Sequence, residues 1–187
     1  MAAEDAEYIK LYCQMPPVTK LDGSLNTLKN CERLALSTNS IDRMIPLNGM
    51  ARLKILSLAR NQIKKIEKLE DVAGTLEELW VSYNLIPTLD GLQGLSQLTT
   101  LYISNNLIKQ WSELDKLASL PNLRDVLFVG NPIYDDMPKD QARIEGTASS
   151  WPSCTAQGRP VVKPRSPFFF PLPPLAPRPS PRPPWQS

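Results

Sequence analysis

Histidine is absent from this chain of 187 residues. Its absence removes Ser-His and Cys-His nucleophile pairs, imidazole metal sites and the commonest general base. Cysteine is scarce. Cys13, Cys31 and Cys154 are odd in number and far apart, which suggests neither a disulfide framework nor a zinc site and fits a reduced, intracellular setting. No run of about 18 apolar residues is available to span a bilayer. The chain opens on Glu4, Asp5 and Glu7 instead of the basic, then apolar, pattern of a secretory leader. Adjacent carboxylates such as Glu77 and Glu78 point to opposite faces of a strand, so they form no shared acid–base site. A non-enzymatic protein without cofactor or metal is expected.

The net charge of +2 hides an uneven distribution. Residues 141–187 hold Arg143, Arg159, Lys163, Arg165, Arg178 and Arg182 against the single acid Glu145. The body before them is mildly acidic, which disfavours nucleic acid as a partner, because such binding rests on clustered cations facing phosphates. The same 47-residue stretch holds 12 of the 19 prolines. It lacks any helix or strand period and reads as a disordered, polyproline-rich tail. A domain boundary is therefore placed at residue 140. In the tail, Arg178-x-x-Pro181-x-x-Pro184 has the form of an SH3 ligand.

What the chain does have is a repeat. Five stretches share one apolar pattern closed by asparagine: Cys31-x-x-Leu34-x-Leu36-x-x-Asn39-x-Ile41, then Leu53 to Ile63, Leu76 to Ile86, Leu98 to Ile108 and Leu123 to Ile133. The asparagines lie 22, 23, 22 and 25 residues apart. That period and consensus belong to leucine-rich repeats, a strand followed by a turn and a helical or 3₁₀ return. An α/β solenoid of about six repeats follows, with a parallel sheet on the concave face and short helices or 3₁₀ turns on the convex face. The five clear repeats occupy 31–140. Counting back 23 residues finds a degenerate copy in 8–30, with Tyr8, Leu11, Cys13 and Val18 at apolar positions and Pro16 in place of the asparagine. A worn terminal copy suits a coil with one neighbour only.

Within each coil the leucines alternate inward with outward-facing residues. The asparagine amides at Asn39, Asn61, Asn84, Asn106 and Asn131 are expected to form a ladder that satisfies turn backbone otherwise buried without partners. Outward positions of successive coils fall about 4.8 Å apart and align in columns. One reads Tyr12, Ala35, Ser57, Trp80, Tyr102, Leu127; its neighbour reads Lys10, Arg33, Ile55, Glu78, Thr100, Asp125; a third contains Arg60 and Tyr83. Trp80 and Tyr102 are expected side by side on the open sheet, where large exposed apolar groups mark an interface. The candidate partner-binding set is Trp80, Tyr102, Tyr83, Leu127, Tyr12, Ile55, Arg33, Arg60 and Glu78. The aromatics could also pack together for stability alone.

Particular segments go beyond the generic repeat: Ile9-Lys-Leu-Tyr12, Leu36-Ser-Thr-Asn39, Ile55-Leu-Ser-Leu58, Thr75-Leu-Glu-Glu-Leu-Trp80-Val-Ser-Tyr-Asn84 and Leu127-Phe-Val-Gly-Asn-Pro132. Through them, residues 8 to 138 resemble the light chain 1 family of outer-arm axonemal dynein. The resemblance implies a non-catalytic subunit that binds a dynein heavy chain through its apolar sheet face. It also implies regulation of ciliary or flagellar motility, contact with tubulin or microtubules, and a place in the axonemal cytoskeleton. It implies a monomeric subunit of a larger complex; the acidic body and the lack of a long apolar run have already set aside nucleic acid and membrane as partners. The family's helical cap and charged end give way here to proline-rich sequence. That change leaves a poorly capped, functionally impaired isoform as one alternative; the 22-residue repeat, shared with phosphatase-regulating proteins, leaves a phosphatase-regulating repeat adaptor as another.

Overall fold

The computed structural model describes residues 5–135. Six strands of three residues each, β1 (Tyr8–Lys10), β2 (Arg33–Ala35), β3 (Ile55–Ser57), β4 (Glu78–Trp80), β5 (Thr100–Tyr102) and β6 (Asp125–Leu127), form one sheet in chain order. Every pairing is parallel. Between strands the chain returns through loops and the 3₁₀ helices Gly23–Thr27, Glu70–Val72 and Trp111–Ser119, and a further one, Pro132–Tyr134, follows β6. The expectations for the tail, including the SH3-like motif, lie outside the described residues.

The alternation of the strands produces the core directly. The central residues Leu34, Leu56, Leu79 and Leu101 stack in register and are buried, while their flanking neighbours face out. The return segments close the other side with Met44, Leu47, Ile66, Leu69, Leu89, Leu92, Leu114 and Leu117. At the two ends, where among the described residues a strand has one neighbour only, the equivalents Ile9 and Val126 are only partly buried. The long return through Trp111–Ser119 is tied back to the preceding coil. The Lys116 ammonium lies 2.7 Å from Asp90 and 2.8 Å from Glu113, and Glu113 accepts from the Leu89 amide at 2.8 Å. The Asp90 and Glu113 hydrogen bonds raise the Lys116 pKa, and the Lys116 bond lowers that of Asp90.

Each interior asparagine bridges two coils. Asn84 accepts from the Ile63 amide at 3.0 Å and donates to the Leu58 and Val81 carbonyls, both at 3.0 Å. Asn61 repeats the arrangement with Ile41, Leu36 and Leu58, and Asn106 with Ile86, Val81 and Ile103. Asn131 contacts Ile108, Ile103 and Phe128. Asn39 takes the same role against the first coil, accepting from Val18 and donating to Leu11.

The first coil departs from the expected register. Lys10, not Tyr12, pairs with Ala35, and Tyr8, not Lys10, pairs with Arg33. Val18 nevertheless sits where Ile41 and Ile63 sit in later coils, because its amide donates to the asparagine of the next coil. Two additional residues therefore lie between the first strand and its turn, and a fixed step of 23 locates the turn while missing the strand. Cys13 consequently occupies the position of Thr38, with the same positive φ, and is exposed, not an apolar inward residue. Gln14 stands in the asparagine's place instead of Pro16, and donates to the Tyr12 carbonyl at 3.2 Å.

Candidate functional site

The outward side of β3 to β6 carries the large side chains. Trp80 and Tyr102 are register partners, with ring centroids 5.7 Å apart and planes tilted by 30°. Both are half-buried. Leu127 continues their column on β6 and is 44% exposed. The period-2 alternation that sends Leu79 and Leu101 inward sends these residues outward.

Carboxylates border the aromatic pair. Glu78, two residues before Trp80 on the same strand and hence on the same face, accepts from the indole Nε1 at 3.1 Å. Asp125 lies across Thr100 from it in the neighbouring column. Burial, followed by the charges of Asp125 and Glu78, pushes the Tyr102 phenol above its usual range. Like any tyrosine at neutral pH the phenol is protonated and available as a donor, and its surroundings move it further from ionisation. Beyond this pair, Arg60 stacks its guanidinium 4.6 Å from the centre of the exposed Tyr83 ring.

At the other end the face is basic. Arg33 on β2 is exposed, and Lys10 on β1 heads the Trp80 column. Ile55 is half-buried between Arg33 and Glu78. Of the nine candidate residues, the structure brings Trp80, Tyr102, Leu127, Ile55, Glu78 and Arg33 onto adjoining columns, with Arg60 and Tyr83 just beyond the strand ends. Tyr12 falls outside the Trp80 column. It lines up with Ser37, since the amides of Cys13 and Thr38 make equivalent bonds to the following coil.

Val129, 52% exposed, extends the apolar surface beyond Leu127 and was not anticipated. Its signal is a hydrophobe where the preceding coils carry Ser82 and Ser104. The Glu78–Trp80 bond was equally readable, from their spacing of two on a strand. Among the described residues no group of three or more His, Cys, Asp or Glu could hold a metal ion, and no helix is long and apolar enough to cross a membrane.

Comparison with known proteins sets this geometry in a family. Residues 75–116 match the model of leucine-rich repeats in two copies. An internalin from Listeria monocytogenes, 26% identical, superposes with a TM-score of 0.55 over 62% of this chain and 33% of its own. A leucine-rich-repeat protein of Leptospira interrogans, also 26% identical, superposes with a TM-score of 0.51 over 67% of this chain and 37% of its own. This chain thus spans well under two thirds of either, and they speak for the fold alone. Three other relatives each carry the name dynein axonemal light chain 1. That of Danio rerio is 57% identical over 162 residues, 86% of this chain and 84% of its own length. That of Chlamydomonas reinhardtii is 58% identical over 78% of this chain and 73% of its own. That of Homo sapiens is 54% identical over 85% of this chain and 84% of its own. A match of 162 residues cannot be contained in the first 140, so the likeness runs beyond the repeats and past residue 138, where the resemblance was expected to stop. The chain belongs to the axonemal dynein light chain 1 family.

Proposed function

We propose that this protein is a non-catalytic light chain of an axonemal dynein, which binds a dynein heavy chain through the outward side of its sheet and so helps regulate ciliary or flagellar motility. The observation that carries the reading is the Trp80–Tyr102–Leu127 column, a contiguous apolar strip on an open face of a chain otherwise well supplied with charge. Exposed aromatic strips of this kind are typical centres of protein interfaces. The names of the relatives supply the partner class and the axonemal, cytoskeletal setting. Contact with tubulin or microtubules belongs to the same proposal, as does the role of the repeat domain, residues 1–140, as the docking unit.

Charge orients the partner. Arg33 and Lys10 make the first coils basic and Glu78 and Asp125 make the later coils acidic, so the heavy-chain segment lies with its acidic end over the first coils. Capture from ciliated-cell extract tests the reading, with dynein heavy chain and phosphatase catalytic subunit as the two readouts. Dynein heavy chain is expected on the wild-type protein. Its recovery falls in the charge-reversed pair Arg33→Glu with Glu78→Lys, because opposite charges across an interface set orientation and like charges oppose it. Recovery of the phosphatase alone, or unchanged recovery of heavy chain by the variant, would count against the proposal.

A further inference from the structure

The first three coils carry a second feature, away from the sheet, on the segments that return from the asparagine turns. Lys20, Leu21, Asp42, Arg43, Met44, Ile45 and Lys68 line an open cavity of about 410 Å³. Its apolar lining is Leu21, Met44 and Ile45. Three cations, one from each coil, face the single carboxylate of Asp42. Among the described residues Lys20 and Arg43 make no ion pair, and Lys68 makes only a long one, 3.9 Å from Glu67, which also lies 3.7 Å from Lys65.

Lys68 is the second observation. It has a φ of +61°, a conformation that costs an L side chain free energy. The equivalent position of the next coil is Gly91, with a φ of +89°, where a Cβ would run into the Ile66 carbonyl. Position 68 thus keeps a cation where glycine would fit the backbone with less strain. The other non-glycine residues of positive φ, Cys13, Thr38, Arg60, Tyr83 and Asn105, share the one turn position of the repeat, whereas Lys68 lies outside it, so the repeat does not account for its strain.

We propose that this cavity is a binding site for an acidic stretch of protein in which carboxylates alternate with apolar side chains. The cations come from three successive coils, about 10 Å along the stack at the inter-strand spacing, so a few residues of extended chain reach from the first to the last. Alternate side chains of such a peptide then meet the cations and the apolar lining. A lone phosphate is less well served, since anion cradles use converging backbone N–H groups and the lining here is made of side chains beside Pro46, which has no N–H to offer. The site lies apart from the sheet face and does not depend on how that face is used.

Fluorescence anisotropy with the full chain tests the assignment, using the labelled peptide Glu-Leu-Glu-Leu-Glu and its Gln-Leu-Gln-Leu-Gln counterpart. The acidic peptide is expected to bind and its counterpart not to. The Lys20→Glu, Arg43→Glu double variant weakens binding by about tenfold or more, as expected when like charges are brought together. Lys68→Gly weakens binding too, yet raises the thermal midpoint by relieving the backbone. This combination separates a ligand-binding lysine from a structural one. Binding that neither variant changes would overturn the proposal and point to the basic residues beyond 140. Displacement of the peptide by equimolar inorganic phosphate would also overturn it, by showing a simple anion site.

Discussion

Trp80→Ala is expected to weaken capture of a dynein heavy chain by about thirtyfold, the effect of losing about 2 kcal/mol at an interface centre. The indole is the largest outward side chain of the column and is held at both ends, by Tyr102 at 5.7 Å and by the Nε1 bond to Glu78. A ring fixed before binding loses little conformational freedom on docking, which favours affinity. Trp80→Phe keeps a ring against Tyr102 and removes the bond to Glu78, so a smaller loss is expected. The competing account gives the two rings a purely stabilising role, in which an aromatic contact contributes about 1 kcal/mol. Under it, Trp80→Ala would lower the thermal midpoint and leave heavy-chain capture unchanged. Binding and thermal unfolding measured on the same variants separate the two.

The largest effect on stability is expected at Asn84. Its amide side chain serves the Ile63 amide and the Leu58 and Val81 carbonyls, groups from two successive coils, and the residue is buried. Alanine there strands one donor and weakens two acceptors. At about 1–3 kcal/mol for a buried group left without its partner, a loss of about 3 kcal/mol is expected. For a chain of this size that lowers the thermal midpoint by about 10 °C. Asn131→Ser should also lower the midpoint, by about 2 kcal/mol of stability. A hydroxyl is too short to reach Ile108, Ile103 and Phe128 together, and Asn131 is 1% exposed. Asn39 is only partly buried, so water can replace part of what Asn39→Ala removes, and a smaller shift is expected. Equal, negligible shifts at all three positions, measured by calorimetry, would show that the amides contribute nothing to holding the coils together.

Why the strand register of coils two to six was legible, and that of the first was not, depends on where extra residues fall. Asn106 and Asn131 are 25 residues apart, more than the 22 or 23 of the other intervals. The additional length sits in the return, where Trp111–Ser119 forms a 3₁₀ helix, and strand and asparagine keep their mutual spacing. Trp80, Tyr102 and Leu127 could therefore be aligned from spacing alone. In the first coil the extra pair lies between strand and turn. Counting from the turn then misplaces the strand by two, so the face was kept and the column was lost: Lys10 holds the place expected for Tyr12.

The rest of the surface was hidden for a different reason. Lys20, Arg43 and Lys68 come together from three coils, but Lys68 is three positions out of step with the other two relative to the asparagine turn, so no column links them. The cavity appears only when the path of the return segments is known. Burial at the ends was likewise beyond the pattern. Leu101 and Val126 occupy the same inward position, yet the first is buried and the second only partly so, because among the described residues β6 has no further strand beside it in the sheet.

Amide hydrogen exchange of the full chain, alone and bound to a dynein heavy chain, tests most directly that the partner rests on the sheet. Slowed exchange is expected in the segments spanning 78–84, 100–105 and 125–130, with the returns at 44–50 and 64–72 little changed. Slowing confined to the returns, with the strand segments exchanging as in the free protein, would contradict the account.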